Sequence, residues 1–463
     1  MRFESTFGKD QVTSLDHESK LSELMAFVAG LVSGYLVSRF ISYFSRLFRQ
    51  PSFNNVISPG LEEDYAAVNN RALEIATRNL RAGIETRQLP DGSEKTVLCA
   101  GRRNFREPWA RDLSFASFGL VEIGEFTAAR ESFESFLLYQ LPSGQFPVKM
   151  HTTGVIDRYL HSFFKREQPV RLHLHPKYIT GHRTVSPDGN ALLVIGMLNY
   201  ARRSGDQEFI DEHWTGLKKA VQWLDEHALG VHGLLHQAAF ADWSDTISRK
   251  GWILYTNILY WKALKDMSEA ALWSGKEEDL EYFSAREAEI RRAINEYFWR
   301  ADLGYYVTSE RFANLSSSGN LLAIVWGLAT SEQGQSILDR MKHFHMAEPV
   351  PTKPVYPPYP KRYVAIENRL SRLGFYHIKA AWLWLGALHA IALCRMDRPQ
   401  EAGEILYRLS KVILRDGIVH EVYHPNGQFV SNFWYTSEAP FTWSAGVLVY
   451  ALNVYRKCFH GEN

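Results

Sequence analysis

Two carboxylates, Asp242 and Asp245, flank Trp243 in the run FADWSDTISRKGWILYTNILYWKA, from Phe240 to Ala263. An indole beside a carboxyl lowers local polarity and raises its pKa, so the group stays protonated near neutral pH as a general acid must. Two more carboxylates lie far downstream, Glu421 in GIVHEVYHPNGQ and Glu438 in YTSEAPFTWSAG. Glycoside hydrolysis with inversion needs an acid and a base on opposite sides of one bond, about 6.5 to 9.5 Å apart so that a water fits between. Either downstream glutamate could be that base. Glu421 has His420 and Tyr423 beside it and precedes a Pro-Asn-Gly turn, while Glu438 stands just ahead of the final helix. A structural role competes with each. Asp and Ser at a helix start cap free N–H groups, and a glutamate at a helix entry complements the helix dipole.

Other polar groups stand at helix mouths. Pro108-Trp109-Ala110-Arg111-Asp112 opens a helix with an Arg-Asp pair that could clamp sugar hydroxyls, since Asp accepts and Arg donates in fixed geometry. Asp188 and Asn190 open another, and Tyr376, His377, Trp382 and Trp384 follow a long loop. A single histidine among aromatics is more often satisfied in the core than catalytic, so His377 is read as a ligand contact only.

Several chemistries are excluded. The His173-Leu174-His175 pair has no third ligand at a diagnostic spacing, and no HExxH occurs, so no metal is expected. Phosphate loops, GxGxxG turns and GxSxG elbows are absent, and no organic cofactor is expected. The net charge of +1 shows no imbalance that would advertise nucleic acid as a partner. Three scattered cysteines, Cys99, Cys394 and Cys458, suit a reducing, cytoplasmic compartment better than a disulfide framework. Aromatic residues make up 13% of the chain, which serves core packing and sugar stacking alike.

These residues need a scaffold. Apolar positions at i, i+3, i+4 and i+7 predict about twelve helices: Leu61 to Glu85, Trp109 to Ile123, Phe126 to Gln140, Asp188 to Arg203, Gln207 to Ala228, Tyr255 to Trp273, Lys276 to Trp299, Ser317 to Ala329, Ser331 to His345, Phe375 to Arg395, Gln400 to Leu414 and Thr442 to Cys458. Strand signals are short: Thr96 to Cys99, Gly304 to Thr308 and Gly417 to Tyr423. Antiparallel helix pairs with short connections on one side and long ones on the other fit an all-α (α/α)6 barrel over residues 60–463, with few short strands at its rim. The long connections, Leu141 to Pro187, Leu229 to Leu254, Ala347 to Gly374 and Gly417 to Phe441, would gather at one rim, where loops on rigid helices commonly carry function. The chain carries no exact sequence repeat, and the barrel is read from helical periodicity alone.

Residues 1–50 form a separate extension. The apolar run from Leu24 to Phe44 is broken by Arg39, and its uninterrupted apolar core of about 14 residues is shorter than the ~20 residues of a spanning helix. It reads as a helix packed on the barrel or lying on a membrane surface, which makes residues 24–44 a peripheral membrane contact.

With these residues in view, the chain resembles the (α/α)6-barrel glycosidases, and looks most similar to the amylo-α-1,6-glucosidase (glycogen debranching) domain. WARDLSFASFGLVEIGEFTAARESFESFL resembles that family's aromatic-Arg-Asp helix and the helix after it. SPDGNALLVIGMLNYARRSGD is similar to its Asp-containing helix, and FADWSDTISRKGWILYTNILYWKAL to its Trp-x-Asp motif, whose aspartate is the general acid. The resemblance therefore implies Asp245 as acid and leaves Asp242 as the alternative. GIVHEVYHPNGQ followed by FTWSAG is similar to the glucoamylase-type ending and carries the base role to Glu421, leaving Glu438 as alternative.

Alkaline invertases share much of this order, and ADWSD also resembles the Asp-Trp-Asn-Asp turn of inverting disaccharide phosphorylases. The expectation is an inverting glycoside hydrolase acting on a short α-glucosidic oligosaccharide or disaccharide. Trp109, Arg111, Asp112, Asp188, Trp243, Asn257, His377, Trp382 and Trp443 are expected around the sugar. A glycoside phosphorylase, an invertase-like sucrose hydrolase and a non-catalytic carbohydrate-binding barrel are the alternatives.

Overall fold

The computed structural model describes Asp64 to His460, apart from Leu172, Leu229 and Val231. The predicted helical run at 24–44 lies outside the described residues. Twelve helices build the barrel: α1 (Tyr65–Ala82), α2 (Ala110–Glu122), α3 (Phe126–Leu138), α4 (Pro187–Ser204), α5 (Gln207–Glu226), α6 (Leu254–Trp273), α7 (Glu277–Phe298), α8 (Ser317–Val325), α9 (Ser331–His343), α10 (Leu383–Arg395), α11 (Pro399–Asp416) and α12 (Thr442–His460). Two shorter helices, Val155–Phe163 and Ile366–Leu370, sit in the connections.

The even-numbered helices form a closed inner ring. Each packs on the next, from α2 through α4, α6, α8, α10 and α12 and back to α2. Their sequences explain the placement: α4, α6, α8 and α10 are buried around most of their circumference, as helices apolar on all sides must be. The odd-numbered helices are amphipathic and pack outside, α5 on α4, α7 on α6, α11 on α10, and α1 on both α11 and α12. The first outer helix thus pairs with the last inner one and closes the circle. Ring closure depends on close backbone approach between α2 and α12. A Cβ on Gly119 would lie 2.4 Å from the Gly446 carbonyl oxygen, and one on Gly446 would lie 2.5 Å from the Ala116 Cα.

Helix punctuation follows local chemistry. Pro187 and Pro399 open α4 and α11, where a missing N–H costs nothing, and Gly205 and Gly417 end them in the left-handed conformation. Thr330 and Gln333 form a reciprocal capping box on α9. Two predicted boundaries are corrected. The first helix stops at Ala82, because the chain turns at Gly83, where a Cβ would fall 2.3 Å from the Thr442 side chain. The run predicted as helix from Phe375 begins helically only at Leu383. The Phe375 carbonyl accepts from the N–H groups of Ile378, Lys379 and Ala380, and a strand pair follows at Ala381–Trp382.

Inner-to-outer connections are two to five residues long, whereas all six outer-to-inner connections are long: 83–109, 139–186, 227–253, 299–316, 344–382 and 417–441. Two of these, 83–109 and 299–316, were not among the four read from sequence. Six two-stranded antiparallel ribbons stiffen this rim.

A repeated device pins three connections. The fourth residue of α4, α6 and α8 is an asparagine whose Oδ1 accepts a backbone N–H from the preceding rim segment: Asn190 from Phe146 (2.7 Å), Asn257 from Leu235 (2.7 Å) and Asn320 from Tyr306 (3.0 Å). Each recipient lies two residues after a glycine with positive φ, Gly144, Gly233 or Gly304. In the last connection Val419, two residues after Gly417, donates instead to Asn79 Oδ1 of α1. The structural repeat is thus one glycine and one asparagine in each of four of the six connections, too sparse to register as a sequence repeat.

Candidate active site

The inner helices start at the rim with the long connections, so their N-terminal ends converge there. Free N–H groups and the helix dipole make such ends favourable for oxygen-rich ligands. Trp109, Arg111 and Asp112 stand at the mouth of α2, Asp188 at that of α4, Tyr255 at that of α6, Trp382 and Trp384 at that of α10, and Trp443 and Ser444 at that of α12.

The acidic turn precedes α6. Phe240 takes φ 60°, a left-handed conformation uncommon for a phenylalanine, and its ring stacks on His182 at 4.3 Å. Beyond it, the two aspartates part company. Asp242 is buried and saturated, accepting from Gln237 Nε2 (2.8 Å), Ser244 N (2.9 Å) and Arg249 Nη2 (2.8 Å). Both of its oxygens are engaged by protein in holding the turn together, which leaves it less free than Asp245 to serve as the alternative acid. Asp245 keeps part of its surface open, yet protein surrounds it closely. Burial pushes its carboxyl up to about 6; the Arg111 cation opposes the shift, and the Asp242 and Asp188 anions add to it. Asp112 is buried nearby, where burial pushes its carboxyl up to about 7 against the pull of Arg111 and with the support of Asp245.

Arg111 spans the two aspartates' surroundings. Its Nε donates to Asp188 Oδ2 at 2.9 Å, and Ser186 Oγ donates to the other oxygen of Asp188 at 2.5 Å. The pairing expected within the Arg-Asp dipeptide is therefore made across two helices, between α2 and α4.

The ribbon Ala381–Trp382 with Val422–Tyr423 brings Glu421 to the mouth of α10. Both carboxyl oxygens of Glu421 are engaged: the Tyr376 phenol donates to Oε1, and the Tyr435 phenol to Oε2, with the two phenol oxygens 3.1 Å apart. Burial pushes the Glu421 carboxyl up to about 7, while the two phenols favour its ionised form. Glu438 has a different task. Its Oε1 accepts the N–H groups of Arg102 and Arg103 at 3.0 Å each and its Oε2 that of Asn104 at 2.5 Å. It clamps the 101–104 turn, which corrects its reading as an alternative base.

The remaining expectations divide. Asn257 spends its amide on Leu235 N and on the Leu235 and Ile253 carbonyls, so it is a rim pin and not a sugar contact. The rings of Trp243, Trp382 and Trp443, expected around the sugar, do not stand free to stack on one. They are buried in one aromatic cluster, with Trp243 edge-on to Trp382 (5.5 Å) and Trp384 (5.0 Å) and Trp443 stacked on Phe115 (5.2 Å). His377 is buried, parallel to Trp382 at 5.0 Å, and shares a 2.9 Å hydrogen bond with Thr246 Oγ1. Burial, with the nearby Arg249 and Arg111 cations, holds its imidazole well below its ordinary pKa and therefore neutral. Trp109 is half-buried, with Lys149 Nζ 4.4 Å from its ring centre.

Sequence reasoning did not single out Tyr435, Ser444 or Arg249 for the site. Buried polar atoms that lack a protein partner stand at these helix mouths: the indole N–H groups of Trp109 and Trp443, both expected around the sugar, and of Trp384, with the hydroxyls of Tyr255 and Ser444, to which no sugar contact was assigned. Such atoms are ordinarily paired with water or ligand. A depression of about 510 Å³ lined by Glu85, Arg87, Arg102 and Arg106 lies elsewhere on the rim and contains none of the expected site residues.

Residues 143–347 match the family model of the bacterial α-L-rhamnosidase six-hairpin glycosidase domain. N,N'-diacetylchitobiose phosphorylase of Vibrio proteolyticus is 22% identical over 195 residues, which cover 37% of this chain and 24% of that protein. A rhamnosidase from Klebsiella oxytoca with rhamnose bound superposes with a TM-score of 0.62 at 14% identity, covering 87% of this chain and 66% of the other. A GH63 mannosylglycerate hydrolase from Thermus thermophilus does so with a TM-score of 0.59 at 14% identity, covering 83% and 99%. The chain thus spans about a quarter of the phosphorylase and about two-thirds of the rhamnosidase. Its fold is the six-hairpin (α/α)6 toroid of glycosidases, as expected from the helix pattern.

Proposed function

We propose that this chain is an inverting glycoside hydrolase acting on a short α-glucoside, with Asp245 as general acid and Glu421 as general base. The observation that carries the proposal is the state of Asp245: a carboxyl at the open end of the barrel, held at about 6 by burial and by neighbouring aspartates. At neutral pH such a group retains a proton in part of the molecules, and transfer of that proton to the leaving oxygen is the acid's task.

The base must hold a water. Glu421 has the phenols of Tyr376 and Tyr435 where that water would sit. Tyr376 is anchored through its carbonyl, which accepts from Trp382 Nε1 at 3.0 Å. Tyr435 lies in the 431–436 loop, so exchange of a phenol for water falls to Tyr435. Asp112 and the Arg111–Asp188 pair then face the sugar hydroxyls, with the unpartnered indole and hydroxyl donors as further contacts.

Phosphorolysis is the second reading, favoured by the sequence match to a chitobiose phosphorylase. A panel of α-linked disaccharides, sucrose and trehalose, incubated with and without inorganic phosphate, separates the two. Cleavage without phosphate supports hydrolysis; cleavage only with phosphate, yielding a sugar 1-phosphate, replaces it. Binding of sugars with no turnover in either buffer would make the chain a carbohydrate-binding barrel.

A further inference from the structure

Cationic residues are concentrated in two segments of the rim around the two carboxylates. Residues 152–185 and 361–379 together hold eleven Lys and Arg against three Asp and Glu, in a chain whose totals are 52 and 51. The same two segments expose apolar side chains in helical register. Ile156, Leu160 and Phe164 are 61%, 50% and 60% exposed, and Ile366 and Leu370 of the second segment are 62% and 54% exposed. The segments join where His182 meets Glu367 at 3.4 Å. They also border both halves of the site. Ala365 N donates to Thr246 O at 2.8 Å beside Asp245, and Phe163 packs edge-on against Phe433 (5.2 Å), two residues from Tyr435.

We propose that this cationic, apolar collar is a docking face for an anionic lipid bilayer, which presents the barrel mouth to the membrane surface. Charge complementarity and exposed aliphatics decide the occupant. Lys and Arg beside Phe and Leu on one amphipathic surface match an interface of anionic headgroups over acyl chains. A soluble polyanion would use the cations and leave Ile156, Leu160, Ile366 and Leu370 in water. Arg166 lies 5.9 Å over the Phe164 ring, so charge and apolar surface sit together at one point of the collar. If the glycosidase reading holds, on which this clause alone rests, the substrate is a glycoside carried on a lipid and presented at the bilayer.

The test is co-sedimentation of the full chain with vesicles of phosphatidylcholine, with and without roughly one-third phosphatidylserine. Binding is expected on the anionic vesicles only, weakened by high salt. The double variants Lys165→Glu/Arg166→Glu and Leu160→Ser/Phe164→Ser are each expected to weaken it about tenfold or more. Thermal melting of each variant checks that the fold is kept. Absence of wild-type binding to anionic vesicles overturns the proposal. So does wild-type affinity in both variants, and so does retention on heparin, a soluble polyanion, without binding to the vesicles. Hydrolysis of a soluble aryl α-glucoside is followed in the same samples; its absence would count against the glycosidase reading and leave the vesicle result standing.

Discussion

Thr246 Oγ1 and His377 Nδ1 share a hydrogen bond of 2.9 Å, which ties the residue after Asp245 to the residue after Tyr376. Because the Tyr376 phenol donates to Glu421, one short chain of contacts links the proposed acid to the proposed base. His377 is thereby a positioning residue. His377→Ala is expected to lower kcat at least tenfold with little change in KM, since misplacement affects the reacting groups more than sugar binding. Steady-state kinetics check this, and the substitution is expected to change the pH profile where a merely structural loss would not.

That profile is itself a prediction. The acid must be protonated and the base ionised, so activity falls at high pH as Asp245 loses its proton and at low pH as Glu421 gains one. With the two carboxyls at about 6 and about 7, kcat/KM is expected to follow a narrow bell with its maximum between these values. Tyr435→Phe removes a hydrogen bond that favours the Glu421 anion, so its pKa rises; because that pKa already lies above that of Asp245, the alkaline limb moves to higher pH and the maximum falls.

Asp112 should cost stability. Its folded pKa of about 7 lies above that of an exposed aspartate, so the unfolded chain binds fewer protons between those values and stability falls as pH rises through that window. Asp112→Asn keeps the shape without the charge. It is expected to stabilise the protein at pH 8 by about 4 kcal/mol and to change little near pH 4. Urea unfolding at the two pH values measures the difference.

Gly446→Ala addresses ring closure. The added methyl would press on the Ala116 backbone at 2.5 Å, which cannot yield as a side-chain tip can. A loss of about 1–3 kcal/mol or more is expected, seen as a lower Tm. Gly124→Ala on the outer turn, where nothing lies within 4 Å, loses less and only through its positive φ of 78°.

The helical scaffold was legible in the sequence because each inner helix is a long apolar run and each outer one is amphipathic, so periodicity alone separates them. The start of α10 was not, since the aromatic run from Phe375 continues the apolar pattern through a turn that only its backbone hydrogen bonds reveal. At the site, residue type named carboxylates but not their occupancy. Asp242 and Asp245 look alike in ADWSD, and only Arg249 and Gln237 show which one is spent on structure. Tryptophan was misread for a related reason. A ring that could stack on a sugar can equally fill the core, and the rings of Trp243, Trp382 and Trp443 do the latter, which leaves Trp443 its unpartnered indole N–H.

The central claim is tested most directly by the configuration of the first product. Proton NMR of a susceptible α-glucoside in phosphate-free buffer should show the β-anomer of glucose appearing first, followed by slow mutarotation. Asp245→Asn should reduce the rate about 10²–10⁴-fold. Initial release of the α-anomer, or an Asp245→Asn enzyme with wild-type turnover, would contradict the account.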